Sequence, residues 1–178
     1  GKIDIAARFE QRRNRTFVYV QPPNAGLIEL DEAPPLPHDQ EAVDVVLTMS
    51  AMLHAKPVPA LQPMRKTVVD GSNTSGFQRT TLVSTNGQLL TDTGEVGVSV
   101  ICLEEDSARK LETKSTPDGE VVTYTLDRLG LPLVEIATDP DITTPEHAKE
   151  SAIALGSLLR DTRRVRRGLG SIRQDQTS

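Results

Sequence analysis

The alternation of apolar and polar residues predicts a chain made mainly of short strands, with two helices. Runs of β-branched and aromatic residues predict strands at residues 16–20, 27–30, 64–70, 96–103, 121–126 and 133–137. Apolar residues at helical spacing predict one helix that begins after Asp39 and ends before Pro57, and another that begins at Thr144. Turn residues predict hairpins at Asn86-Gly87 and at Pro117-Asp118-Gly119. Together these elements predict an α+β fold with a mostly antiparallel β-sheet and covering helices.

Length and composition limit the fold and its environment. The chain of 178 residues and 19.4 kDa is long enough for one sizeable core, so residues 1–178 are predicted to form a single domain. Its one cysteine, Cys102, forms no internal disulfide, and no secretory leader or membrane-spanning apolar run is recognised, so a cytoplasmic setting without membrane contact is expected. The net charge of -5 argues against a general nucleic-acid coat protein, although a local basic patch is compatible with it.

Three adjacent carboxylates, Glu104, Glu105 and Asp106, follow the strand predicted at 96–103. Side-chain alternation directs Glu105 to one face and the other two to the opposite face, where they repel each other unless a positive charge lies nearby. Hard cations such as Mg²⁺ take carboxylate oxygens, often together with phosphate oxygens. The acidic run is therefore a candidate metal site, and a solvated acidic corner is the alternative.

Glu135 lies in the apolar run of the strand predicted at 133–137. A half-buried strand position normally carries an apolar or hydroxyl side chain, so the desolvation of Glu135 requires a compensating partner. A divalent cation is one such partner, and an ion pair with Arg128 or Arg109 is the alternative.

The segment 70–80 has the composition of an anion-binding loop. Its two glycines allow several backbone N–H groups to turn toward one anion, and a nearby guanidinium supplies positive charge. The candidate residues are Ser72, Asn73, Thr74, Ser75, Gly76 and Arg79. Because no Gly-Lys-Ser/Thr follows at the required spacing, this is not a Walker loop, and an ordinary connection between strands is the alternative.

Basic residues cluster near both ends of the chain. Four arginines lie between residues 8 and 15, and five lie between residues 160 and 167. The second cluster follows a predicted helix, so it either complements the helix dipole or contacts a phosphate backbone. Spacing puts Arg173 and Asp175 on one face of a strand, which suits a phosphate and a metal ion, or an ordinary surface pair. His147 lies in the first turn of the second helix and is expected at the surface.

Four motifs together resemble the B/E-type subunits of tRNA-dependent amidotransferases, and the turn at 70–80 and the last of these motifs resemble the archaeal E type more than the bacterial B type. The four motifs are Leu103-Glu104-Glu105-Asp106, the run DRLGLPLVEI at 127–136, the turn Asp139-Pro140-Asp141, and the run RGLGSIRQD at 167–175. The motifs occur in the family's order, and the resemblance extends over nearly the whole chain. It implies a cradle domain, distantly similar to glutamine synthetase, in which helices cover an antiparallel sheet.

The resemblance also implies a reaction and its participants. In this family ATP phosphorylates the γ-carboxylate of the glutamate on Glu-tRNA(Gln), and ammonia from an amidase-like D-type partner subunit then displaces the phosphate, within a hetero-oligomer. By this resemblance Glu105 and Glu135 are Mg²⁺ ligands at the catalytic site, and Glu104 and Asp175 lie near a second cation. We further assign a phosphate contact to Arg173 and the ATP cradle to the loop at 72–76.

The chain also departs from the family pattern. The N-terminal Gly-Leu-Glu-Ile-His strand, which supplies metal ligands in the family, is not found before Gly1, and the helical domains that hold tRNA are not recognised. We therefore expect the isolated chain to have little or no activity. Two alternatives stay open: a non-catalytic fragment that binds tRNA or another subunit, and a different ATP-dependent carboxylate-amine ligase.

Overall fold

The computed structural model describes residues 5–23, 26, 31 and 36–162, and within them the chain forms three helices and eight strands. In chain order these are α1 (Ile5–Gln11), β1 (Arg15–Val20), α2 (Gln40–Met52), β2 (Lys56–Pro57), β3 (Pro63–Thr67), β4 (Phe77–Leu90), β5 (Glu95–Glu105), β6 (Arg109–Thr116), β7 (Gly119–Thr125), β8 (Pro132–Thr138) and α3 (Pro145–Asp161). The strand predicted at 27–30 lies outside the described residues. No helix in this part of the chain is long and apolar enough to cross a membrane.

The chain divides into two compact units. The first unit contains Gly1–Pro37, Pro63–Thr80 and Glu104–Leu133, and the second contains His38–Gln62, Thr81–Leu103 and Val134–Ser178. Strands β4, β5 and β8 each contribute residues to both units. The predicted α+β fold with mostly antiparallel strands is confirmed. The single domain predicted for residues 1–178 stays a prediction.

The first unit contains a three-stranded sheet in the order β1-β7-β6. Strands β6 and β7 form the predicted antiparallel hairpin, and β1 pairs with β7 in parallel. Side-chain alternation along β1 and β7 directs one face of this sheet into a small core. That core consists of Phe17, Tyr19, Ala108, Val122, Tyr124, Leu126 and Leu129. Both tyrosines of the chain therefore lie in the first unit.

A second sheet has the strand order β2-β4-β5-β8, and β3 pairs with β4. In the second unit α2 begins as the sequence predicts, because the Asp39 carboxylate accepts a hydrogen bond from the Glu41 backbone N–H at 3.0 Å. The apolar stripes of α2 and α3 pack on residues of β4, β5 and β8 in one core. Its fully buried members include Val46, Met49, Leu53, Val83, Val96, Val98 and Ile101.

The hairpin predicted at Asn86-Gly87 is wrong, because β4 continues through these residues to Leu90. Asn86 adopts a left-handed conformation with φ 56°, and a Cβ on Gly87 would lie 3.0 Å from the Leu53 carbonyl oxygen. The pair therefore permits close approach of the α2 end instead of reversing the chain. The reversal occurs at residues 91–94, where the backbones of Thr91 and Gly94 exchange two hydrogen bonds.

The surface position expected for His147 is also wrong, since its side chain is buried. Helix α3 begins as predicted, with the Thr144 hydroxyl accepting from the His147 backbone N–H at 3.2 Å. The 91–94 turn packs on this helix start: the His147 Nε2 lies 3.1 Å from the Thr91 hydroxyl, and Glu150 accepts from the Asp92 backbone N–H at 2.5 Å. A polar partner far away in the sequence thus allows this histidine to be buried.

Candidate functional site

Glu104, the first residue of the acidic run, is buried in the first unit with 6% of its surface exposed. Its carboxylate accepts from the Lys66 ammonium at 2.9 Å and from the Thr80 hydroxyl at 3.0 Å. The Gln78 amide nitrogen lies 3.4 Å from its other oxygen. A cation and two neutral donors therefore compensate the burial of this charge.

Glu105 lies on the opposite face of β5 and is half-exposed. Its carboxylate forms an ion pair with the Arg79 guanidinium, and its backbone carbonyl accepts from Gln78 at 2.8 Å. The alternation along β4 agrees, because Gln78 and Thr80 contact Glu104 whereas Arg79 between them contacts Glu105. A cation bound by Glu105 therefore lies on the other face of the strand from Glu104.

Asp106 follows β5 and closes the bend at residues 128–131. Its carboxylate lies 3.3 Å from the Arg128 Nε, its backbone N–H donates to the Leu131 carbonyl at 2.7 Å, and its carbonyl accepts from Gly130 at 2.9 Å. Each of the three adjacent carboxylates thus has a cation of its own in the first unit. These three ion pairs offset the repulsion that the sequence predicts among the carboxylates.

The loop at 70–76 is compact and closed by its own hydrogen bonds. The Asp70 carboxylate accepts from the Ser72 backbone N–H at 2.9 Å and from the Ser72 hydroxyl at 2.6 Å. The Gly76 N–H donates to the Asn73 carbonyl at 3.0 Å. Gly71 and Gly76 have φ of 83° and 75°, a left-handed region that favours glycine. These hydrogen bonds and glycine conformations define the backbone shape of the loop.

The same loop is joined directly to the end of the acidic run. The Ala108 N–H donates to the Ser72 carbonyl at 2.8 Å, and the Ser107 hydroxyl donates to the Asn73 side-chain oxygen at 3.1 Å. Asn73 is buried. The structure thus brings together two stretches that the sequence singles out separately, the polar loop and the acidic run, within the first unit.

Two tyrosines hold the start of this loop, and the sequence reasoning missed them. The Tyr124 hydroxyl donates to the Asp70 carbonyl and the Tyr19 hydroxyl donates to the Gly71 carbonyl, each at 2.7 Å. Their rings are stacked with centroids 6.0 Å apart. In a trans peptide the carbonyl and the following N–H point in opposite directions. The two hydroxyls therefore fix the directions of the Gly71 and Ser72 N–H groups.

Because of these two tyrosines, we expect the free energy of unfolding to fall at alkaline pH. Burial raises the pKa of Tyr19 and of Tyr124 above the ordinary value of 10.0, and the nearby Asp70 carboxylate raises each pKa further. The native unit then retains protons that the unfolded chain releases. The contribution of the two tyrosines to the free energy of unfolding is therefore fully present below a pH of about 10. It falls as the pH rises through the native pKa values.

A spectrophotometric titration of tyrosinate checks this prediction, because the chain has only 2 tyrosines and no tryptophan. We expect the native chain to titrate at higher pH than the same chain in denaturant, and the Tyr19→Phe variant to depend less on alkaline pH. Coincident native and denatured titration curves would contradict it.

Three predicted site residues remain, namely Glu135, Arg173 and Asp175. Glu135 lies half-buried on β8 in the second unit, and Arg173 and Asp175 lie outside the described residues. Within residues 5–23, 26, 31 and 36–162, no group of three or more His, Cys, Asp and Glu side chains is suited to hold a metal ion. A magnesium ion shared by Glu105 and Glu135 therefore stays a prediction.

Arg79 is the candidate cation whose geometry is best defined. One terminal nitrogen donates to the Leu36 carbonyl at 2.6 Å, and the other is paired with Glu105. Its Nε is buried and has no hydrogen-bond acceptor among the described residues. A buried donor without an acceptor is costly, and an anion in contact with this atom would offset that cost.

Comparison with known proteins identifies the family. A family model described as the GatB/GatE catalytic domain matches residues 8–177. Relatives named as the E-type subunit of glutamyl-tRNA(Gln) amidotransferase are 52% identical over 176 residues in Pyrococcus furiosus, 49% over 175 in Sulfurisphaera tokodaii and 48% over 176 in Methanocaldococcus jannaschii. Each match covers 98% of this chain but only 27% of the curated relative's length. The chain belongs to the GatB/GatE catalytic domain family.

Proposed function

We propose that the chain carries the ATP- and Mg²⁺-dependent part of a Glu-tRNA(Gln) amidotransferase. In the proposed reaction, a γ-carboxylate oxygen of the tRNA-bound glutamate attacks the γ-phosphorus of ATP, and ADP leaves. Ammonia then attacks the activated carbonyl carbon, phosphate leaves, and glutamine remains on the tRNA. The names of the relatives and the resemblance of the acidic motifs support this assignment.

The observation that carries the proposal is the junction of the polar loop with the acidic run. Phosphoryl transfer to a carboxylate brings several anionic groups together, so the site needs cations, donors and metal ligands close to each other. The first unit supplies these types of group on joined elements: Glu105 on β5, Arg79 on β4, and the loop hydrogen-bonded to Ser107 and Ala108.

The residues present fit Mg²⁺ only in part. Mg²⁺ is usually bound by one or two carboxylates, with waters and substrate phosphates completing its shell, so a large protein cluster is not required. Glu105 and Glu135 would hold the catalytic ion, and Glu104 and Asp175 would lie near a second one. The bound ion would neutralise the charge that develops on the transferred phosphoryl group.

In this proposal the ATP phosphates lie near Arg79, after the loop, and not near Ser72 at its start. The Ser72 N–H and hydroxyl are already used by Asp70, so an ATP phosphate would have to displace that carboxylate. The buried Arg79 Nε has no acceptor among the described residues and gains one when a phosphate binds. Arg79 therefore orients a phosphate group in this proposal, and Arg173 contacts another.

Ammonia must come from elsewhere, and we assign its supply to a D-type amidase-like partner in a hetero-oligomer. We assign glutamine or asparagine hydrolysis to none of the described residues.

The alternative function is that of a non-catalytic fragment that binds tRNA or another subunit. The ion pairs of Lys66, Arg79 and Arg128 with the acidic run favour it, because they make the carboxylates stable without a metal.

Binding of Mn²⁺ in the presence of ATP, followed by electron paramagnetic resonance, tests the proposal. We expect millimolar or tighter binding that Glu105→Gln and Glu135→Ala each weaken by about tenfold or more, because each removes a charged ligand. Glu112→Gln is the matched control, since Glu112 is an exposed first-unit carboxylate paired with Lys114 at 3.3 Å. Mn²⁺ binding that ignores the Glu105 and Glu135 substitutions would favour the non-catalytic alternative.

A further inference from the structure

A concave site lies in the first unit, at the start of β1 and the turn of the β6–β7 hairpin. This cavity, named here the Arg13–Arg15 cavity, has a volume of about 340 Å³. The side chains that matter for its chemistry are Arg13, Arg15, Ser115, Thr116 and Glu120, together with the backbone at Gly119. It is open to solvent, so it can contact one group of a larger ligand.

The donors of this cavity suit a phosphate group. Arg15 has a side chain only 10% exposed, and its Nε is buried without a hydrogen-bond acceptor in the described part of the chain. Such a donor loses its hydration and gains no protein acceptor in exchange. An anion that enters the cavity and draws Arg15 toward it would supply the acceptor, and planar guanidinium groups match phosphate oxygens.

Glu10 holds both arginines without exhausting their donors. One of its oxygens lies 3.3 Å from an Arg13 terminal nitrogen and the other is paired with Arg15. The hydrogen bond from Arg15 is the main cause that holds the pKa of Glu10 below its ordinary value. Each guanidinium has five N–H donors, and Glu10 accepts from one nitrogen of each. The carboxylate therefore positions the two cations and leaves them able to contact a further anion.

The surroundings favour a phosphate backbone over a base. Residues 8–15 contain four arginines and one glutamate. Two of these arginines, Arg13 and Arg15, line the cavity, and Glu120 is the one carboxylate among its lining residues. No aromatic side chain lines the cavity, so base stacking is not available there. Two neighbouring guanidinium groups without a stacking platform suit a sequence-independent phosphate contact.

We propose that the Arg13–Arg15 cavity binds a phosphate group of an RNA backbone. The choice of RNA rests on the proposed function, in which the substrate is a tRNA. The site itself shares no residue with the acidic run or with the polar loop. It would position the RNA and take no part in phosphoryl transfer.

The affinity of the chain for an unmodified tRNA transcript, measured by fluorescence anisotropy at several KCl concentrations, tests this proposal. Arg13→Ala is expected to weaken binding and to reduce the slope of log K against log[KCl] by about one, because one phosphate contact is lost. Arg109→Ala is the matched control. Both arginines belong to the first unit and pair with one carboxylate, and their side chains are 56% and 58% exposed. The control is expected to change the slope by much less.

The source of the phosphate is distinguished by a second measurement. The amide resonance of Gly119 is followed while inorganic phosphate, pyrophosphate or the tRNA transcript is added. A shift with the transcript, abolished by Arg13→Ala, supports the proposal. A shift with pyrophosphate and none with RNA overturns the RNA assignment, and an unchanged salt slope in Arg13→Ala overturns the site. Neither measurement requires ATP or amidation, so this inference and the proposed function fail separately.

Discussion

Replacing Gly71 with alanine is expected to lower the free energy of unfolding by about 3 kcal/mol. Gly71 has φ 83°, where a side chain costs about 1–2 kcal/mol. A Cβ there would also lie 2.5 Å from the Phe17 ring, whose centroid is 6.2 Å from that of Tyr124 in the first-unit core. The ring cannot withdraw without disturbing that packing. Urea denaturation followed by circular dichroism measures the change.

Gly76→Ala provides the control for the Gly71 substitution. Gly76 belongs to the same loop and has φ 75°, but a Cβ at this position meets no atom within 4 Å. It shares the backbone strain without the collision, so a loss of about 1 kcal/mol is expected. Equal losses for the two variants would show that contact with Phe17 contributes nothing. Phe17→Leu combined with Gly71→Ala should recover part of the loss if the collision is its cause.

Local chemistry explains which parts of the fold were predictable from the sequence. Asp39 and Thr144 cap α2 and α3 because each cap requires only a side-chain oxygen two or three residues before an N–H group. The Pro117-Asp118-Gly119 hairpin likewise depends on its own turn residues. Such features are settled within a few residues, so a sequence pattern identifies them.

Features that depend on distant neighbours were not predictable in this way. Asn86-Gly87 has the composition of a tight turn, but its glycine is needed because the end of α2 approaches β4 closely. His147 is buried because the turn at 91–94 supplies a hydroxyl partner. Neither partner is adjacent in the sequence, so a composition rule assigns the commoner local role instead.

The candidate site contains both local features, which the sequence pattern identifies, and features that depend on distant neighbours. The acidic run at the end of β5 is predictable, because three carboxylates directly after an apolar strand pattern are visible in the sequence. Its cations were not predicted, since Lys66 and Arg79 come from β3 and β4 and only the sheet pairing brings them near. The tyrosine hydroxyls that hold the polar loop were missed for the same reason. The sequence of an apolar strand does not indicate which backbone carbonyl a tyrosine hydroxyl on that strand will contact.

Replacing Glu105 with glutamine is expected to reduce the amidation rate by about a hundredfold or more, because the substitution removes a charged ligand of the proposed Mg²⁺ ion while keeping the side-chain shape. The assay uses a chimera in which this sequence replaces the matching part of the Pyrococcus furiosus relative, with ammonium salt as the nitrogen source. The Mg²⁺ concentration for half-maximal activity should rise, whereas the KM for Glu-tRNA should stay unchanged. Stability should fall by no more than about 1 kcal/mol, since the pair with Arg79 is half-exposed.

Glu112→Gln in the same chimera separates the loss of the proposed metal ligand from the loss of any negative charge. Glu112 is exposed on β6 and paired with Lys114, so its substitution should leave both the rate and the Mg²⁺ requirement unchanged. If Glu105→Gln retained the full rate at unchanged Mg²⁺, Glu105 would serve only as the partner of Arg79. The acidic run would then be a set of structural ion pairs, and the metal ligands would have to be sought on other elements of the protein.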